Sequence, residues 1–139
     1  MSHSIRLIGP WFVQPQDGLQ FIDQREEIAA VRRIKMPASW ENLFGNAKGK
    51  ATFMRTFNSP TGIDQQTLKI MLEELNGSGT VSLNGEQLIE FGNDDNHIQI
   101  NITSQLKLNN QLVIELICDP SGKSICGLHR PVILMIEEA

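Results

Sequence analysis

Few side chains in this sequence are spaced in ways that could do chemistry. His3, His97 and His129 lie far apart along the chain, with none of the short His/His or Cys-x-x-Cys intervals that hold a metal ion. Cys118 and Cys126 flank the segment 119–125. A bridge could close if that segment is a loop between neighbouring strands, whereas the lack of an export signal favours two reduced thiols. Cys126 has no evident base to activate it as a nucleophile. The carboxylates pair as Glu73-Glu74, Asp94-Asp95 and Glu137-Glu138. Adjacent residues on a strand point to opposite faces, so these pairs do not converge on one substrate. No catalytic constellation emerges.

Asn93, Asp94, Asp95 and Asn96, with Asp119, offer the hard oxygen ligands that calcium takes. Their spacing follows no calcium-loop motif, and a solvated loop tip uses the same residue types. A structural calcium is therefore the single cofactor weighed, and no other is expected. Trp40 could offer an indole face and an N–H donor to a ligand, or it could plug the core beneath the Pro37 turn. Arg55 is in phase with Phe53 and Phe57, so it should point inward, where its guanidinium requires a carboxylate or backbone carbonyls. His97 alternates with isoleucines and is expected to face solvent.

The elements that position these groups read as strands. In Ile98-Gln99-Ile100-Asn101-Ile102 the isoleucines fall on one face and the amides on the other, the period of a half-buried strand. Leu68, Ile70 and Leu72 repeat this pattern, as do Leu112, Ile114 and Leu116, and Val132, Leu134 and Ile136. Trp11 is in phase with Ile5, Leu7 and Val13 and is assigned to the core. Asn84-Gly85 sits between two short apolar runs, and both central positions of a type I′ turn require positive φ, which predicts a tight hairpin. Thr103 is the expected N-cap of a single helical turn, and a second short turn is expected between residues 16 and 27. Gly, Pro and Asn-Asn punctuation divides the chain into eight or nine strands, as in a sandwich or barrel. Residues 1–139 are taken as one domain.

Charge and hydropathy exclude several classes. Twelve basic against sixteen acidic residues give a net charge of -4, which argues against nucleic acid as a partner. The one basic cluster, Arg32, Arg33 and Lys35, follows Arg25-Glu26-Glu27 and reads as a solvated strand face. No apolar run approaches the ~20 residues that span a bilayer, so no membrane is expected. The opening Met1-Ser2-His3-Ser4-Ile5-Arg6 is not a secretory signal, which predicts a cytoplasmic location.

Six short motifs, in order, resemble the N-terminal sugar-binding domain of family-2 glycoside hydrolases, the β-galactosidases, β-glucuronidases and β-mannosidases. Gly9-Pro10-Trp11-Phe12 is similar to the opening strand and Ile34-Lys35-Met36-Pro37-Ala38-Ser39-Trp40 to a V-P-x-S-W turn. Gly49-Lys50-Ala51-Thr52-Phe53-Met54-Arg55-Thr56-Phe57 resembles G-x-x-x-Y-x-R-x-F. Val81-Ser82-Leu83-Asn84-Gly85 resembles the family hairpin, and Asn101-Ile102-Thr103-Ser104-Gln105-Leu106 a D-I-T-x-L turn. Gly127-Leu128-His129-Arg130-Pro131-Val132-Ile133-Leu134 resembles the closing G-I-W-R-x-V-x-L. The resemblance implies an all-β, galactose-binding-like jelly-roll β-sandwich of two antiparallel sheets. Three departures stand out. Phe53 and His129 replace aromatics, residues 91–97 replace a glycine-rich loop, and the sequence ends at Ala139 before any domain bearing the family's catalytic carboxylates.

Within that frame the resemblance implies a non-catalytic, carbohydrate-binding module, with Trp40, Asn42, His97, His129 and Arg130 around the ligand. Arg55 and Arg130 would tie loops to the sandwich, and Asn84 and Gly85 would form its hairpin. The alternative is a protein-interaction or assembly module in which a sheet face or edge strand docks another chain. A third reading, a small glycoside hydrolase, would require two carboxyl groups held about 5 to 10 Å apart across a cleft.

Overall fold

In the computed structural model, residues 2–25, 31–60, 66–92, 94–120 and 126–138 are described. Ten strands run β1 Ser2–Arg6, β2 Trp11–Gln16, β3 Arg32–Ile34, β4 Gly49–Asn58, β5 Gln66–Glu73, β6 Ser78–Leu83, β7 Glu86–Phe91, β8 His97–Asn101, β9 Asn109–Cys118 and β10 Ile133–Glu138. One short helix, α1, covers Trp40–Phe44, and a 3-10 turn covers Thr103–Gln105. The strands form two antiparallel sheets, a four-stranded one ordered β1-β10-β5-β8 and a six-stranded one ordered β3-β2-β4-β9-β6-β7. This is the expected all-β sandwich. Among the described residues no helix is long and apolar enough to cross a membrane.

The period-two stripes become the inner faces. Leu68, Ile70, Leu72, Ile98, Leu134 and Ile136 of the four-stranded sheet meet Val13, Ala51, Phe53, Val81, Leu83, Leu112, Ile114 and Leu116 of the other in one buried cluster. Fully burying an aliphatic side chain of this size stabilises the fold by about 1.5–3 kcal/mol before the cost of chain ordering. The long β4 and β9 pair through ten residues, from Gly49 opposite Cys118 to Asn58 opposite Asn109, and form the central ladder of the larger sheet.

Among the described residues there are ten strands where eight or nine are expected. The chain passes from the four-stranded sheet in β1 to the six-stranded sheet in β2 across Gly9-Pro10, whose peptide is cis. Ile5, on the edge strand β1 and in register with the buried Leu134, keeps 41% exposure, whereas Leu7, Trp11 and Val13 are buried. Trp11 is in the core as expected, its Nε1–H donating to the Leu7 carbonyl at 2.6 Å.

Local expectations divide in the same way. Asn84 and Gly85 have φ of 54° and 84° and join β6 to β7, the paired positive values that a tight Asn-Gly turn requires. Thr103 does not cap its turn. The residue before it, Ile102, holds that position, and Thr103 Oγ1 instead donates to Asn101 Oδ1 and accepts from the Leu68 N–H. Helix α1 was not foreseen. Ser39 caps it by accepting the Asn42 N–H, Glu41 sits in the positive first turn, and Gly45 ends it at φ 71°, a start-and-stop pattern present in the sequence. The expected turn in residues 16–27 is present as two, the Leu19 N–H donating to the Gln16 carbonyl and the Gln24 N–H to the Phe21 carbonyl, with residues 26 and 27 outside the described residues.

Candidate functional site

A run of backbone hydrogen bonds brings four separate segments together beside the end of β5. The Leu75 N–H donates to the Asn96 carbonyl just before β8, and the Gly127 N–H donates to the Asn76 carbonyl. The Trp40 N–H then donates to the Cys126 carbonyl, while the Cys126 N–H donates to Glu41 Oε1 at 3.2 Å. Loops that are distant in sequence therefore share one end of the sandwich.

Side chains on this backbone make a polar cluster. Arg130 Nε donates to Glu74 Oε2 at 2.7 Å, and His129 Nε2 lies 3.6 Å from the same oxygen. Arg130 and Glu74 are exposed, whereas the His129 side chain retains 14% of its exposure. The hydrogen bond from Arg130 holds the Glu74 carboxyl below its ordinary value, and the same bond raises Arg130. His129 Nδ1 is 3.4 Å from the Gly127 carbonyl. Glu74, at φ 49°, is the residue that sequence reading missed, because a pairing across 56 residues leaves no local signal.

The other candidates separate. Trp40 is 1% exposed, packs edge-on against Phe44 at 4.6 Å and donates Nε1–H to the Ala47 carbonyl. It has no free face for stacking and occupies the core, because α1 turns its side chain inward. Asn42 is exposed on α1, and its N–H is taken by Ser39. His97 is exposed, opposite Glu73 in the β5–β8 register. Asp94, Asp95 and Asn96 are exposed, and Asp95 closes its own loop by accepting the Gly92 N–H at 2.9 Å. Asn93 lies outside the described residues, among which no three His, Cys, Asp or Glu side chains converge on a metal position.

Arg55 donates Nη1–H to the Thr56 carbonyl, one of the backbone acceptors foreseen, and its buried Nε is unpartnered among the described residues. Burial lowers its pKa from the ordinary guanidinium value. Asn84 goes beyond its turn, donating from Nδ2 to the Gln105 carbonyl and Asn110 Oδ1 and accepting the Gln111 N–H. A recess of about 450 Å³ opens elsewhere, lined by residues including Asp17, Phe21, Phe44 and Lys48. None of the foreseen ligand residues lines it.

No family model matches this chain, and no curated protein matches it. Solved structures do. An FMN-binding β-glucuronidase from Faecalibacterium prausnitzii aligns over 99% of this chain and 23% of its own, at 18% identity and a TM-score of 0.75. A Bifidobacterium dentium β-glucuronidase aligns over 99% and 30%, at 15% identity and a TM-score of 0.75. A β-glycosidase from Bacteroides vulgatus aligns over 96% and 20%, at 17% identity and a TM-score of 0.71. The fold is therefore that of a β-sandwich domain such as these glycosidases carry, and the chain spans less than a third of their length.

Proposed function

We propose that the chain is a non-catalytic carbohydrate-binding module whose ligand sits among the loops carrying Asn42, His97, His129 and Arg130. The observation that supports this most is the meeting of those loops around Glu74 on a sandwich that matches parts of glycosidases. Arg130 supplies charged donors, Glu74 acceptors and His129 a ring nitrogen, groups that pair with sugar hydroxyls. With Trp40 in the core, recognition runs through hydrogen bonds in place of stacking. Asp94, Asp95 and Asn96 are the oxygens a calcium ion would use in this reading.

Glycan-array binding of the wild type, with and without calcium, tests this against Arg130→Ala and Glu74→Gln. Selective binding that either substitution abolishes, in variants that still unfold cooperatively well above the assay temperature, is the expected result. A blank array for the folded wild type overturns the reading for the glycans displayed.

A second reading has its own observation. On the outer face of the six-stranded sheet, Phe12 is 40% exposed and stands in register with Met54, which is in register with Val113, both half-buried. An apolar row on a sheet face suits the docking of another protein chain. Sedimentation of the wild type and Phe12→Ser tests it, with a wild-type assembly that the substitution dissolves as the supporting result.

A further inference from the structure

Cys118 ends β9 and Cys126 opens the segment that runs into β10, yet both sulfurs reach one oxygen. Cys118 Sγ lies 3.3 Å and Cys126 Sγ 3.8 Å from the Asn76 carbonyl. Both residues are buried, and both thiols are free. No side chain stands between Cys118 and the Asn76–Gly127 bridge, because residue 77 is glycine and a Cβ there would lie 3.0 Å from Cys118 Sγ. The neighbouring Cys126 thiol and burial push the Cys118 thiol up, while the neighbouring Cys118 thiol draws the Cys126 thiol down, so Cys126 ionises first. Two sulfurs fall short of the four ligands of a structural zinc, and the described residues add no third His, Cys, Asp or Glu.

We propose that Cys118 and Cys126 are a redox pair that closes to an intramolecular disulfide, with a small-molecule disulfide such as oxidised glutathione as the oxidant. The Cys126 thiolate attacks one sulfur of the oxidant, forming a mixed disulfide and releasing one glutathione thiolate. The Cys118 thiol then gives up its proton and attacks Cys126 Sγ, forming the internal S–S bond and expelling the second glutathione. Two protein thiols are oxidised, one glutathione disulfide is reduced, and the two thiol protons end on the two glutathiones. Because both sulfurs are buried, exchange proceeds through opening of the short Asn76–Gly127 bridge. The product fastens the end of β9 to the segment that carries Gly127, His129 and Arg130.

Incubating the native protein in a glutathione redox buffer, then unfolding it and alkylating free thiols, reads the outcome by mass spectrometry. The expected product is a monomer lighter by two hydrogens with no alkylatable thiol, restored by dithiothreitol and with its Tm raised by about 5 °C. Cys118→Ala should arrest at the mixed disulfide on Cys126. Two thiols that remain alkylatable, a persistent glutathione adduct on the wild type, or interchain dimers would each overturn the pair. The wild-type measurement decides the matter even if a cysteine variant does not fold.

Discussion

Glu74 Oε2 accepts from Arg130 Nε at 2.7 Å, and this contact joins the Asn76–Gly127 bridge in tying the end of β5 to the segment entering β10. Arg130 holds the carboxyl below its ordinary value of 4.5. A carboxyl lowered in the folded state contributes stability that is fully present above 4.5 and is lost as pH falls through the lowered folded value. Both groups are exposed, so the contribution is small and weakens with salt. Thermal unfolding of wild type and Glu74→Gln across pH is the check. The wild type should be slightly more stable at neutral pH, and the gap should close at acid pH below 4.5. Parallel curves throughout would show that the pair does not matter to folding.

Asn110 is 0% exposed and satisfies an entire corner of the fold. Its Oδ1 accepts the Lys107 N–H at 2.8 Å and Asn84 Nδ2 at 3.1 Å. Its Nδ2 faces the Phe57 carbonyl, Ser59 Oγ and the Lys107 carbonyl at 3.0 to 3.3 Å. Removing the amide strands several of these groups without water, so Asn110→Ala should cost about 3 kcal/mol. Urea unfolding measures it, and a loss under about 1 kcal/mol would mean that water replaces the amide.

Asn110 also marks where the sequence stopped being informative. As a residue type in Asn109-Asn110 it reads as loop punctuation, yet it is the second residue of β9 and its partners come from β4 and the residue just beyond it, the β6–β7 turn and the segment after the 3-10 turn. The sandwich itself was legible because a half-buried strand repeats every two residues, as the isoleucines of β8 and Leu112, Ile114 and Leu116 of β9 show. The Asn-Gly hairpin was legible because its turn chemistry is local. Glu74 with Arg130, and Cys118 with Asn76, depend on which strands become neighbours, and no local pattern carries that. Trp40 was ambiguous for a related reason, since an indole suits a core or a binding face equally well until the direction of α1 is known.

Gly79 and Gly85 separate two uses of glycine. At Gly79 an added Cβ would overlap the Glu115 carbonyl of the neighbouring β9, and a backbone atom inside a paired ladder cannot move aside. At Gly85 the φ of 84° disfavours other residues, but nothing lies within 4 Å. Gly79→Ala should therefore destabilise by about 4 kcal/mol or more, and Gly85→Ala by about 1 kcal/mol. Chemical denaturation of both variants checks the order, and equal losses would contradict the close approach of β6 to β9.

The two tryptophans, Trp11 and Trp40, are both buried, and this gives a direct optical check on the candidate site. Native indole emission should be blue-shifted and should stay unchanged when any bound glycan is added, since neither ring reaches the surface. Trp40→Ala removes a side chain packed on Phe44 and the Nε1–H bond to the Ala47 carbonyl, and should cost about 4 kcal/mol. Trp40→Phe keeps most of the volume and loses mainly the hydrogen bond, at about 1–2 kcal/mol. Folded Trp40→Phe should then bind glycan as the wild type does. A glycan-dependent emission change in the wild type that disappears in Trp40→Phe would instead place the indole at the ligand and contradict its burial.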